Sequence, residues 1–294
     1  MNVLVTGSNG QLGRELRRLA LESPYHFIFT DVNEMPGEET VYLDVTNKDA
    51  VKIIADSEKV DVIVNCAAYT NVEKAEEEIF LADLLNHHAV EGLAEIAAER
   101  NALMIHISTD YIYSGDGCLP IREDELPAPH CVYGSTKLAG EIALAKSACR
   151  SVTLRTSWLY SPYGKNFVKT MRQQMAARPY IKVVSDQVGT PTSAADLAEV
   201  VMAFVNMNNI SGKHVYHYSN EGAISWYDFA HAIKDICGYD CDVQACRTEE
   251  YPTKASRPHY SVLDKGAIRS TLGIRIPYWR DSLVECIRRM DFDA

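Results

Sequence analysis

Short β-branched runs alternate with segments of helical spacing through the first half of the chain. NVLVTG (2–7), HFIFTD (26–31), DVIVNCA (61–67) and LMIHIST (103–109) read as buried strands, because their apolar residues continue without the alternation that a solvated face imposes. Between them, GQLGRELRRLALE, NKDAVKIIADSE and the longer EEEIFLADLLNHHAVEGLAEIAAER place apolar residues three and four apart, as helices with one buried stripe do. SVTLRTSWLY (151–160) reads as one more strand. Alternating strand and helix predicts right-handed crossovers and an α/β fold with a doubly wound parallel sheet. The second half is richer in loops, aromatics and prolines, as in LYSPYGKNF, HVYHYSNEGAISWYDF and YPTKASRPHY. It reads as a smaller α/β module over the carboxyl ends of the strands, the edge where such sheets bind ligands.

Composition narrows the function classes. The 294 residues carry 29 basic and 40 acidic side chains, a formal charge of −11. Nucleic acid and anionic membrane surfaces both call for a basic face, so neither is expected as a partner. No apolar run approaches the length of a membrane span, and MNVLVTG is not a signal-type leader, so the cytoplasm is the expected compartment. Of the eight cysteines, Cys237, Cys241 and Cys246 cluster most closely. Their spacing fits no zinc pattern, and they read as structural thiols.

Strand NVLVT runs into Gly7-Ser-Asn-Gly10-Gln-Leu-Gly13 and then into a helix. Such a turn lets a pyrophosphate approach main-chain N–H groups at a helix N-terminus, although G-x-x-G-x-x-G is not the usual G-x-G-x-x-G. Asp31, at the end of the second strand, stands where a carboxylate accepts from the ribose hydroxyls of NAD. Asp44 follows a further short strand within reach of an adenine. The small residues Ala67 and Ala68 in CAAYT allow close backbone approach to a dinucleotide. The chain therefore divides into a dinucleotide-binding Rossmann domain at 1–160, with a returning segment at about 181–220, and a mainly substrate-binding domain at 161–294.

In HCVYGSTKLAGEIAL, Tyr133 precedes Lys137 by four residues, which puts both on one helix face. The strand MIHIST ends in Ser108, Thr109 and Asp110. Hydride delivered to a ketone leaves an alkoxide that needs a proton and charge stabilisation. Tyr133 is the candidate proton donor. Lys137 is expected to favour the phenolate and to bond the nicotinamide ribose, and Thr109 to hydrogen-bond the substrate carbonyl. The residues alone reach a nicotinamide-dependent ketone reductase.

VTGSNGQLG, DVIVNCAAYTNVEKAE, STDYIYSG, VYGSTKLAGE, LRTSWLYSPYGKNFV, DQVGTPT and KASRP together resemble the extended short-chain dehydrogenase/reductase family, in its nucleotide-sugar branch, over nearly the whole chain. The resemblance implies NADPH or NADH as cofactor. Gly10, Gln11 and Leu12 would lie along the pyrophosphate, and Asp31, Asp44, Val45, Ala68, Tyr69 and Thr70 along the rest of the dinucleotide. Asp110 and Trp158 would contact the sugar. Asn166, in GKNFV, is common to several sugar-nucleotide enzymes. Dehydratases of the superfamily carry glutamate where Tyr111 stands on the substrate side, which argues against dehydration. Arg257 is the candidate for the substrate diphosphate, since guanidinium offers a fork of donors. His87 and His88 read as packing or surface residues, and the acidic run EKAEEE (73–78) as the solvated opening of a helix. Some relatives bind a divalent cation at a dimer contact. Glu15 fits one such position, but Ala195 stands where a second carboxylate belongs, so no metal is expected. The cation-dependent dimer loses its basis with the metal, and a homodimer stands only as an open alternative to a monomer. The rival readings are a catalytically silent dinucleotide-binding regulatory subunit, or another nucleotide-sugar reductase or epimerase.

Overall fold

The computed structural model describes residues 1–207 and 210–292. Its centre is a seven-stranded sheet built from β1 (Asn2–Thr6), β2 (His26–Asp31), β3 (Val41–Tyr42), β4 (Val62–Asn65), β5 (Leu103–Thr109), β6 (Arg150–Thr156) and, much later in the chain, β11 (Lys213–His217). The spatial order is β11-β6-β5-β4-β1-β2-β3 and every pairing is parallel. The doubly wound Rossmann-type α/β sheet is therefore what the chain forms. Runs such as VIVN in β4 are buried along their whole length because helices cover both faces.

On one face α1 (Gln11–Ala20), α8 (Ala194–Val205) and α10 (Gly266–Leu272) pack against Val3, Val5, Val64, Ile105 and Leu154. On the other, α2 (Lys48–Ser57), α5 (Ala89–Glu99) and α6 (Val132–Lys146) cover Leu4, Ile63 and Met104. Two short helices, α3 (Val72–Ala75) and α4 (Ile79–Asp83), lead into α5.

The long helical segment is not one α-helix. Leu84–His88 forms a π-helical turn between α4 and α5. Asn86 in that turn is fully buried; it accepts from Tyr69 N–H at 2.9 Å and donates to Tyr69 C=O at 3.1 Å and to Thr136 Oγ1 at 3.2 Å. The turn also brings His87 and His88 onto Asp83, each at 3.1 Å, so these surface histidines do have a shared partner. Nearby, Gly140 of α6 faces the Asn86 carbonyl so closely that a Cβ would lie 2.1 Å from its oxygen.

The strand expected at 151–160 is also interrupted. β6 ends at Thr156 and β7 is only Leu159–Tyr160. Between them Trp158 takes φ +48°, a left-handed conformation unusual for an aromatic residue. From here the chain builds a second core from β7, α7 (Phe167–Ala177), β8 (Tyr180–Val184), α9 (Trp226–Cys237), β13 (Asp242–Cys246) and α11 (Trp279–Phe292). β8 and β13 pair in parallel, while the short strands β9 (Val188–Gly189), β10 (Thr192–Ser193) and β12 (Ile224–Ser225) tie loops together: β10 to β7 and β12 to β9. Cys241, Cys246 and Cys286 are buried free thiols. Among the described residues no helix is long and apolar enough to cross a membrane.

Candidate active site

The carboxyl ends of β1, β2, β4 and β5 lie side by side along one edge of the sheet, the edge at which parallel sheets form their ligand crevice. The β1–α1 turn forms its floor. Gly7 takes φ +61°, and a Cβ there would lie 2.7 Å from the Ala67 backbone nitrogen. At Gly13 a Cβ would meet the Ser8 backbone at 2.4 Å. These two contacts press the turn against both the 66–68 segment and the start of α1, leaving no room for side chains. Gly10 is the N-cap of α1 and no side chain caps the helix, so its first-turn N–H groups face outward and suit a diphosphate. The Leu12 side chain points into the core, so only its backbone faces the turn. The Gln11 side chain accepts from Ser161 Oγ and from Asn166 Nδ2, each at 3.0 Å, and so joins the turn to the second half of the chain.

Asp31 accepts Asn9 N–H and Asn33 N–H, both at 3.0 Å, one on each oxygen. A carboxylate has about four acceptor positions, so a ribose diol can still be bound. Asp44 accepts the Thr46 N–H and hydroxyl on Oδ1. Val45 is buried, Ala67 and Ala68 are half-buried, Tyr69 is buried with its backbone clamped by Asn86, and Thr70 is exposed. Arg17, which the sequence did not single out, donates to Ser8 Oγ, Asn9 Oδ1 and Thr40 Oγ1 and so fastens the glycine turn from beneath.

The reacting groups converge from β5 and α6. Cys131 caps α6, and its thiol accepts from Gly134 N–H at 3.4 Å, which sets Tyr133 in the first turn. The Tyr133 hydroxyl lies near enough to that of Thr109 for Thr109 to favour its phenolate. Thr109 in turn accepts from Tyr111 N–H at 3.2 Å and donates to Asp110 Oδ1 at 3.1 Å. Burial pushes the Tyr133 phenol above its ordinary range, and Thr109 offsets this only in part. Desolvation outweighs the other influences and keeps the phenol protonated, as a proton donor requires.

Lys137 is 2% exposed. Burial brings its ammonium down to about 8, while Glu141, one turn along α6, and Cys66 pull it back up. Its Nζ donates to the Ile107 carbonyl and lies 3.5 Å from His106 Nε2.

Asp110 is 1% exposed, and burial pushes its carboxyl up to about 6, against the Ser261 and Thr109 hydroxyls and neighbouring N–H groups. Its Oδ2 lacks a hydrogen-bond partner of good geometry. Tyr111 lies edge-on to Tyr133 with ring centroids 5.6 Å apart. The strained Trp158 is stacked on Trp226 at 3.6 Å, and Phe167 packs on the far ring at 4.6 Å. Asn166 is the N-cap of α7; its amide bonds Gln11, Ser161, Tyr163 and Lys169, so its polar atoms are engaged within the protein. Arg257 donates to Glu73 Oε1 at 2.8 Å, and its Nε is buried without a partner.

The acidic run around Glu73 is not merely solvated. Glu73 also accepts from Lys254 N–H, Glu77 pairs with Lys254, Glu76 accepts from Val132 N–H, and Glu78 accepts from the Tyr69 hydroxyl. These carboxylates join the 66–70 segment, the start of α6 and the 254–257 loop. Glu15 is fully buried and paired with Arg18 and Arg289. Among the described residues one trio, Asp83, His87 and His88, has the spacing to hold a metal ion, on the surface.

Fold and crevice together define a Rossmann-type protein of the short-chain dehydrogenase/reductase class. The chain belongs to the RmlD substrate-binding-domain family, whose model matches residues 1–292. It is 40% identical over 292 residues to a dTDP-4-dehydrorhamnose reductase of Aggregatibacter actinomycetemcomitans, covering 96% of each chain. A solved dTDP-4-dehydrorhamnose reductase of Clostridium acetobutylicum superposes with TM-score 0.92 at 40% identity, over 99% of this chain and 100% of that one. A Bacillus anthracis dTDP-4-dehydrorhamnose reductase, solved in complex with NADP, gives TM-score 0.89 at 33% identity over 98% and 99%.

Proposed function

We propose that the chain is an NAD(P)H-dependent reductase that converts the C4 ketone of dTDP-4-dehydro-β-L-rhamnose to the alcohol of dTDP-β-L-rhamnose. The observation that carries the chemistry is the convergence of the Tyr133 and Thr109 hydroxyls at the carboxyl end of β5, with Lys137 buried one turn along α6. The substrate follows from the relatives' shared name together with the near-complete coverage of both chains.

The uncapped α1 turn, the Gly7 and Gly13 contacts and Asp31 suit a nicotinamide dinucleotide, which when bound supplies the hydride. Every other task falls to the protein. Thr109 turns its one O–H from Asp110 to the ketone oxygen and so orients it. Tyr133, kept protonated by burial, gives its proton to that oxygen as negative charge develops there. Lys137 places a positive charge behind the phenol and stabilises it once the proton has gone. Asp110, with one free buried oxygen, accepts from a sugar hydroxyl, and the Trp158 face bounds the sugar's apolar side. Arg257 exchanges Glu73 for the substrate diphosphate. Tyr111 offers no carboxylate, which supports reduction over dehydration.

The test is NADPH or NADH oxidation with dTDP-4-dehydrorhamnose, comparing wild type with Tyr133→Phe. Wild type should consume cofactor and release dTDP-rhamnose, and the variant should fall by about two orders of magnitude or more. Cofactor binding without turnover would replace this reading with a regulatory one. Product formed without net cofactor loss would indicate an epimerase.

A further inference from the structure

Beneath the crevice lies a row of buried polar side chains that the reaction as described does not use. In the parallel register Thr6 of β1 pairs with Asn65 of β4, and Asn65 with His106 of β5. All three side chains are at most 1% exposed. Thr6 Oγ1 lies 2.7 Å from Asn65 Oδ1, Asn65 Nδ2 lies 3.1 Å from His106 Nδ1, and His106 Nε2 lies 3.5 Å from Lys137 Nζ. At its far end Thr6 Oγ1 accepts from Ala67 N–H at 3.4 Å. The row thus runs from the cofactor-facing 66–68 segment to the ammonium behind Tyr133.

With Lys137 charged, only one arrangement pairs a donor with an acceptor at every contact along the row. If Asn65 Nδ2 donates to His106 Nδ1, the imidazole carries its proton on Nε2 and turns a donor toward the Lys137 ammonium. A half-turn of the Asn65 amide exchanges its oxygen and nitrogen without moving other atoms. Lys137 then donates to Nε2, His106 Nδ1–H donates to Asn65 Oδ1, and Asn65 Nδ2 donates to Thr6 Oγ1. Every contact in the row becomes a donor meeting an acceptor, in exchange for the bond that the Thr6 hydroxyl donates to Asn65 Oδ1 in the unturned amide.

We infer that His106 is a positioning residue for Lys137: a neutral imidazole, protonated on Nδ1 and held so by Asn65, which accepts from the ammonium at Nε2. With Ile107 C=O as a second acceptor, the ammonium is fixed by two bonds and keeps one N–H for the crevice. Burial, and then the Lys137 charge, keep the imidazole far below its ordinary range, so it stays neutral. The other titratable groups facing Lys137 are Glu141 on its own helix and Cys66 beyond β4; burial keeps the thiol uncharged. The consequence for turnover rests on the reductase reading; the tautomer does not.

Long-range proton–nitrogen correlation spectra of the imidazoles test the tautomer directly, on protein without cofactor. His106→Gln identifies the signal among the nine histidines. The expected spectrum is a neutral ring protonated on Nδ1 that does not titrate between about pH 6 and 8. A ring protonated on Nε2, or an imidazolium, overturns the inference. Kinetics give the second readout. Glutamine places an acceptor near the Nε2 position, so His106→Gln should keep kcat within about threefold, whereas His106→Leu should lose about ten- to hundredfold, the worth of a hydrogen bond to a charge. The KM for the nucleotide sugar should hold in both, and thermal unfolding controls for folding. Equal losses in Gln and Leu would mean that packing, not the acceptor, matters, and would also overturn it. If wild type does not reduce the ketosugar, the reductase reading fails while the spectra still decide the tautomer.

Discussion

Replacing Asp110 by Asn should make the protein more stable at alkaline pH and less active. Burial raises the Asp110 carboxyl from 3.8 to about 6. The folded state therefore holds this proton more tightly than the unfolded chain. The stability it contributes is complete below about pH 4 and is lost as pH rises through 6. At about 1.4 kcal/mol per unit, the ionised form is disfavoured in the fold by about 3 kcal/mol. Asparagine is close in shape and never ionises, and the Thr109 and Ser261 hydroxyls can rotate to suit its amide. Calorimetry of the unliganded protein should show wild type and Asp110→Asn melting together near pH 4. By pH 8 they should separate, with the variant about 6 °C higher, since a chain of this size gains about 2 °C per kcal/mol. Its kcat/KM for the nucleotide sugar should fall about ten- to hundredfold, as for a lost hydrogen bond to a charged group. A difference in melting temperature that stays constant with pH, or a variant less stable at pH 8, would refute the reasoning. A buried carboxylate kept at such expense to stability marks a residue retained for binding.

Glu141→Gln leaves the Arg155 guanidinium, 6% exposed and bonded to Glu141 through Nε and Nη2, without its countercharge; urea unfolding should show a loss of about 3 kcal/mol. Glu73→Gln weakens the bonds that hold Lys254 and Arg257. Titration calorimetry should find nucleotide-sugar affinity lowered severalfold and NADPH affinity unchanged, because the proposed cofactor contacts lie on the β1–α1 turn and the 66–70 segment and not on the 254–257 loop. Trp226→Phe breaks a stacked indole pair, so the couplet that two such close rings give in the far-ultraviolet circular dichroism should vanish; its persistence would place the coupling elsewhere.

The sheet was legible because burial on both faces writes itself as unbroken β-branched runs, and β2 and β5 fall where HFIFTD and LMIHIST stand. The glycine turn and the Tyr133–Lys137 spacing were legible for a similar reason, being local. What escaped the sequence depends on distant partners. The π-helical turn at 84–88 follows from Asn86 meeting the Tyr69 backbone, which no periodicity of helix residues announces. Trp158 breaks its strand although TSWLY has good strand propensity, since its ring has Trp226 to stack on. Glu73, Glu76, Glu77 and Glu78 looked like a charged helix start, and each has found a partner from another part of the chain. His106 hid inside an apolar run. A polar residue there was a signal that could have been followed, because a buried imidazole needs partners on both sides.

The strand order has a consequence for synthesis. β6 joins β5 early, but its other neighbour, β11, is made only after β7 through α8 have left the ribosome. Until then the nascent sheet ends in an open edge, with β6 offering unpaired N–H and C=O groups to any extended chain nearby. A nascent chain that folds as far as β6 would hold six strands, with its exposed border beside the strand that bears Thr109. Chaperone dependence and early aggregation should concentrate in that interval, and a ribosome stalled just before β11 is where to look for both.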